Sequence, residues 1–146
     1  MRKTLSKIEQ TDKIAGDLAR KILLDNNEGA FVVALEGDLG AGKTTFAQGF
    51  ARALGIKEKI TSPTFVLLKK YKINSDRYGS LIHIDAYRLE DPQDLIELGW
   101  DKLVLDPKNI ILVEWADKIK KILPKKHILI KLMHSSNQTR QIGVYY

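Results

Sequence analysis

The sequence predicts an α/β fold: a mostly parallel central sheet flanked by helices, with an antiparallel extension. Three observations carry this. Apolar runs of strand length alternate with segments of helical period. The run Ile110-Ile111-Leu112-Val113 is apolar throughout, as a parallel strand buried on both faces must be. A glycine-rich stretch, Gly37 to Thr44, stands between an apolar run and a helical one. With 146 residues, the chain suits one domain over 1–146, long enough to bury a sizeable core.

The elements follow in order. Ile14, Leu18 and Ile22, flanked by Ala15, Ala19 and Leu23, recur at helical spacing. Thr11 is the expected N-cap of that helix, and Asn26-Asn27-Glu28-Gly29 ends it. Phe31–Leu35 is a strand feeding the glycine-rich stretch. Phe46, Ala47, Phe50, Ala51 and Leu54 then make one face of a second helix, closed by Gly55. Thr61-Ser62-Pro63-Thr64 is a polar loop. Phe65–Leu68 and Tyr71–Ile73 read as strand, turning through residues 74–79 into Leu81–Ile84 as a hairpin. Asp91 caps a helix that has Pro92 in its first turn. After the 110–113 strand come a short helix around Ala116–Ile122 and two strands, His127–Leu132 and Gln141–Tyr146.

Gly37-Asp38-Leu39-Gly40-Ala41-Gly42-Lys43-Thr44 matches the phosphate-loop pattern Gly-x4-Gly-Lys-[Ser/Thr] in the strand–loop–helix context that the chemistry needs. The glycines let backbone N–H groups turn inward around an anion, and the next helix offers its unpaired N-terminal amides to the same phosphates. Lys43 can reach the β- and γ-phosphates, and the Thr44 hydroxyl can ligate Mg²⁺. The fold is therefore expected to be a P-loop NTPase-like sandwich. Its metal needs a carboxylate from a neighbouring strand end. Asp85 after Leu81–Ile84 and Glu114 after Ile110–Val113 are both candidates. Thr64 lies where nucleotide switches close a loop over the γ-phosphate.

Composition narrows the class. No apolar stretch approaches the length of a membrane span, and residues 1–6 lack a secretory apolar core. Cysteine is absent, which excludes disulfides, thiolate zinc sites and cysteine nucleophiles and suits a reducing cytoplasm. The net charge is +6, but the lysines are dispersed and no aromatics interleave with them, so they read as solvated faces with at most weak contact to RNA. His83 reads as a core or edge histidine, and His127 and His134 lack metal-ligand spacing.

Four motifs in order resemble the bacterial TsaE (YjeE/YdiB) family: Leu35 to Phe46, Ser62-Pro63-Thr64, His83-Ile84-Asp85-Ala86-Tyr87-Arg88-Leu89, and Leu112-Val113-Glu114-Trp115. The resemblance covers about Glu36 to Trp115 well and the first helix loosely. It implies an ATP- and Mg²⁺-dependent ATPase needed to form threonylcarbamoyladenosine at position 37 of tRNAs that read codons beginning with A. In that family the protein works with TsaB and TsaD, while TsaC makes the threonylcarbamoyl-adenylate; contact with tRNA would be weak or indirect. By motif position, Asp38, Leu39, Gly40, Ala41, Gly42, Lys43, Thr44 and Thr45 hold the nucleotide. Thr44 and Glu114 hold Mg²⁺, Asp85 positions water, Thr64 senses the γ-phosphate and Trp115 packs beside the site. Glu9 and Thr11 would border the adenine.

The sequence lacks an Asn-Lys-x-Asp guanine-reading motif, and Ala86-Tyr87-Arg88 after Asp85 is not a G-protein switch, so adenine is the expected base. A small-molecule kinase would need an acceptor pocket and lid for which the chain has little room. A nucleotide-dependent binding module without significant turnover is the non-enzymatic alternative. Arg52, Arg88 and Arg140 are the candidates for an arginine finger in cis.

Overall fold

The computed structural model describes residues 2–5, 8–38, 40–61, 67–136 and 139–146, with side chains described over 10–133 and 141–146 of these. Seven strands form one sheet: β1 (Arg2–Leu5), β2 (Phe31–Gly37), β3 (Leu68–Lys72), β4 (Ser80–Asp85), β5 (Asn109–Glu114), β6 (Ile128–Ser136) and β7 (Thr139–Tyr145). Their spatial order is β1-β7-β6-β2-β5-β4-β3. The four central strands, β6, β2, β5 and β4, are mutually parallel. Antiparallel pairings bound them on both sides, β3 on β4 at one edge and β7 and β1 beyond β6 at the other. The expected parallel centre is therefore present, and the antiparallel extension occurs at both edges.

The helices divide between the two faces. α1 (Ile8–Leu23) and α2 (Lys43–Ala53) cover one; α3 (Pro92–Glu97), α4 (Trp100–Leu105) and a 3₁₀ turn (Ala116–Ile122) cover the other. Strand alternation supplies both cores. Phe31, Val33 and Leu35 of β2 and Ile110 and Leu112 of β5 meet Ala15, Ala19, Phe46 and Phe50. Val32 and Ala34, with Ile111 and Val113, meet Leu95, Trp100 and Ile119. Small residues let α1 and α2 approach closely: a Cβ on Gly49 would collide with the Asp12 carboxylate and lie 3.2 Å from the Asp12 Cα.

Several local expectations hold for the reasons given. Asp91 Oδ1 accepts the Gln93 N–H at 2.9 Å, with Pro92 opening α3. Gly55, at φ 83°, follows the Leu54 cap of α2. Others are corrected. Thr11 is not an N-cap, because α1 begins at Ile8 and Thr11 lies buried within its first turns. The polar N-terminal residues form β1 by pairing with β7, a contact that their own composition does not announce. Gly99, at φ 100°, breaks the helical region after Pro92 into α3 and α4. The strand expected in two pieces runs unbroken over β3, with Lys69 and Lys70 exposed on the sheet edge; Phe65 and Val66 lie outside the described residues. The C-terminal strands extend further towards each other than expected, to Ser136 and from Thr139.

Candidate functional site

Parallel register brings three strand ends to one edge of the sheet. Glu114 of β5 is flanked by Leu35 of β2 on one side and Asp85 of β4 on the other. In an open α/β sheet this carboxyl edge is where ligands bind. Two residues beyond Leu35, Gly37 leaves β2 so close to β6 that any Cβ would strike the Leu132 carbonyl oxygen. The chain then turns, with the Ala41 N–H donating to the Asp38 carbonyl at 3.1 Å. Gly40 and Gly42 take φ 76° and 105°, the left-handed region that favours glycine.

α2 starts directly from this loop. Its first turn contains no acidic residue, and no side chain caps the terminus. Its N-terminal amides and the positive end of its dipole are thus left for an anion. Lys43, at the first helical position, is 6% exposed and folds back along the loop. Its Nζ donates to the Gly37 carbonyl and, at 2.7 Å, to the Asp38 carbonyl. The same ammonium lies 4.1 Å from the centre of the Trp115 ring. Burial holds the Lys43 pKa below its usual 10.5; Glu114, followed by Asp38, Asp117 and Asp85, opposes that shift.

Trp115 is held in an unusual backbone. At φ 58° and ψ 42° it is left-handed, the one such non-glycine among the described residues. A bulky residue in that region is strained by about 1–3 kcal/mol. The turn places the indole between Lys43 and Tyr87, whose ring centre is 4.9 Å away. Tyr87 is held in turn by its N–H, which donates to Asp85 Oδ1 at 2.9 Å, and by Lys118, which donates to its carbonyl at 2.6 Å. Asp85 thus organises the turn that follows its own strand.

Glu114 is buried, 3% exposed. Its Oε2 pairs with His83 Nε2 at 2.6 Å. His83 is thus the core histidine that the sequence suggests, at 1% exposure, and Glu114 is its partner. The His-x-Asp alternation in 83–85 does put His83 on the face of Asp85, but only the β4–β5 register brings Glu114 beside it.

Most of the sequence-predicted residues therefore converge. Lys43, Asp85, Glu114 and Trp115 surround the loop; Thr44 is exposed in the first turn of α2, with Thr45 half-buried beside it. Leu39, Thr64 and the Glu9 side chain lie outside the described residues. Thr11 buries its side chain on α1, at 2% exposure. Arg52 sits in the last turn of α2, about 15 Å of helix from the loop, and pairs with Asp12. That position excludes it as an arginine finger in cis.

Fold and site together define an α/β protein that presents a phosphate-loop motif, a lysine and two carboxylates at the carboxyl edge of its parallel strands. A family model described as threonylcarbamoyl adenosine biosynthesis protein TsaE matches residues 5–142. The tRNA threonylcarbamoyladenosine biosynthesis protein TsaE of Bacillus subtilis is 42% identical over 111 residues, which cover 76% of this chain and 66% of that protein. Its counterpart in Rickettsia conorii is 36% identical over 142 residues, covering 97% of this chain and 75% of that one. The crystal structure of Bacillus subtilis YdiB superposes with a TM-score of 0.73 at 33% identity, covering 97% of this chain and 82% of that one. The chain belongs to the TsaE family.

Proposed function

We propose that this chain is a cytoplasmic, Mg²⁺-dependent ATP hydrolase, one P-loop NTPase-like domain over residues 1–146. It would serve threonylcarbamoyladenosine formation at position 37 of tRNAs reading codons that begin with A, acting with TsaB and TsaD. Family membership supports the pathway. The observation that carries the chemistry is Lys43, held on the phosphate-loop carbonyls beside two carboxylates on adjacent strands.

The donor set fits the metal. Among the described residues no cluster of three or more His, Asp or Glu could hold a cation unaided. One or two carboxylates beside a phosphate loop suit a cation that completes its sphere with phosphate oxygens and water. Thr44 and Glu114 would hold Mg²⁺, which when bound supplies positive charge to the phosphates. The amides of residues 38–45 and the Lys43 ammonium bind and orient the triphosphate. Asp85 positions the attacking water, Thr64 reads the γ-phosphate, and Trp115 closes the loop side of the site. Glu9 is assigned to the adenine side. Thr11 is assigned there too, through its helix rather than its buried hydroxyl.

Arg52 lies away from the loop; if neither Arg88 nor Arg140 acts as a finger in cis, a group worth about 10³–10⁵ in rate must come from a partner. Turnover should then be slow alone and should rise when TsaB and TsaD are added. Phosphate release measured with and without that pair tests this; equal rates would remove the partner-dependent part of the reading. Phosphate found on a nucleoside or sugar instead of water would make the chain a kinase.

A further inference from the structure

His83 is a buried titratable side chain that the proposed chemistry leaves unused. It lies on β4 two residues before Asp85, and so on the same sheet face. Register pairs it with Leu112, which makes Glu114, two residues further along β5, its diagonal neighbour. Its side chain is 1% exposed and that of Glu114 is 4% exposed. Among the described residues the imidazole has one polar contact, Nε2 to Glu114 Oε2 at 2.6 Å, and its Nδ1 has no hydrogen-bond partner. A buried nitrogen left unpaired weakens the fold, so stability alone does not explain a histidine here. Its contact is with the carboxylate.

We propose that His83 is a positioning residue for Glu114. Its Nε2–H donates to Oε2, fixes the rotamer of the carboxylate, and leaves Oε1 to meet a divalent cation. Asp85 stands directly beside Glu114 in the register. A donor on Oε2 offsets the repulsion between the two carboxylates and prevents Glu114 from turning away. Partners of this kind, one bond removed from the metal, change metal affinity by about 10–100-fold. The inference rests on reading Glu114 as the cation carboxylate.

The test compares His83→Gln, which keeps an N–H donor near the Nε2 position, with His83→Asn, whose amide is too short to reach it. ADP affinity is measured calorimetrically for each variant with Mg²⁺ and with EDTA, beside thermal unfolding. The Mg²⁺-dependent gain in affinity should survive in His83→Gln and fall about tenfold or more in His83→Asn. Affinity in EDTA should stay the same in both. An unchanged Mg²⁺ gain in His83→Asn overturns the proposal, as do equal losses in both variants. If wild-type protein binds ADP with no Mg²⁺ gain at all, the assignment of Glu114 itself fails, and this inference with it. Should His83→Asn not fold, NMR on the wild-type ADP complex decides. An Nε2 signal of His83 that moves on Mg²⁺ addition supports the role, and one that stays fixed overturns it.

Discussion

Under the proposed function, Lys43 would exchange its present partners for a bound phosphate. Its ammonium is shared between the Gly37 and Asp38 carbonyls and the face of Trp115. Burial disfavours its charge, and the surrounding carboxylates restore only part of what water would supply. The proposed triphosphate would offer a stronger counter-charge at the same place. Lys43→Ala should therefore lower ATP affinity by about ten- to a hundredfold, the range for a charge-assisted contact. It should leave the melting temperature within a few degrees, since the variant removes a desolvated charge and no core packing. Calorimetric titration with ATP checks the first point and thermal unfolding the second. Glu114→Ala differs in kind. It should cut the Mg²⁺-dependent affinity by at least about tenfold while changing affinity in EDTA less. It also strands His83 Nε2, at a cost of about 1–3 kcal/mol. Equal losses with and without Mg²⁺ would shift the metal role to Asp85. Lys43, Glu114 and Asp85 could be singled out as candidates in the sequence, Lys43 by the phosphate-loop pattern and the two carboxylates because each follows an apolar run. The partnership of His83 could not, because nothing local distinguishes a buried imidazole with a carboxylate beside it from one without.

Elements reveal a similar division. α3 was readable at its start because Asp-Pro is a local signal, satisfied by an atom two residues away. The start of α1 was misplaced at Thr11 because capping residues are also tolerated inside helices, where tertiary packing overrides the preference. β1 carries no pattern of its own; it exists because β7 offers an unpaired edge. The α1–α2 contact depends on Gly49, and its cost of disruption can be measured. Gly49→Leu must push α1 away from the Asp12 backbone, and overpacking of this sort costs about 1–3 kcal/mol. In a chain of this size that lowers the melting temperature by several degrees. Gly49→Ala should show a smaller fall, and no fall in either would mean that the helices do not approach as closely as described.

At the scale of the whole molecule, the sheet joins segments distant in sequence, and the turn before β4 shows how the far end is tied. Tyr78 donates its hydroxyl to the Asp25 carbonyl at 2.7 Å, just past α1, and packs edge-on against Phe31 at 6.4 Å. Arg77 reaches the Leu24 carbonyl at 2.8 Å. Burial, with the nearby Asp25 charge, raises the Tyr78 pKa above its usual 10.0. Above that pH the unfolded chain loses its phenolic proton first, so stability falls as pH rises towards the folded value. Tyr78→Phe should lose about 1 kcal/mol near neutral pH and show a shallower decline between pH 9 and 11. Unfolding midpoints across that range measure both effects.

What the sequence determined by itself was local and periodic. The phosphate-loop motif, the apolar central strands, the α3 cap and the carboxylates at two strand ends depend on residues a few positions apart, and so can be read in one dimension. What only the tertiary structure decided was register and neighbourhood. Leu35, Glu114 and Asp85 stand abreast, Lys43 lies on Trp115, His83 grips Glu114, and β1 completes an edge. These contacts join positions far apart along the chain. Their geometry is set by how parallel strands align when both faces of the sheet are buried, and a shift of one residue would turn every side chain of a strand to the opposite face.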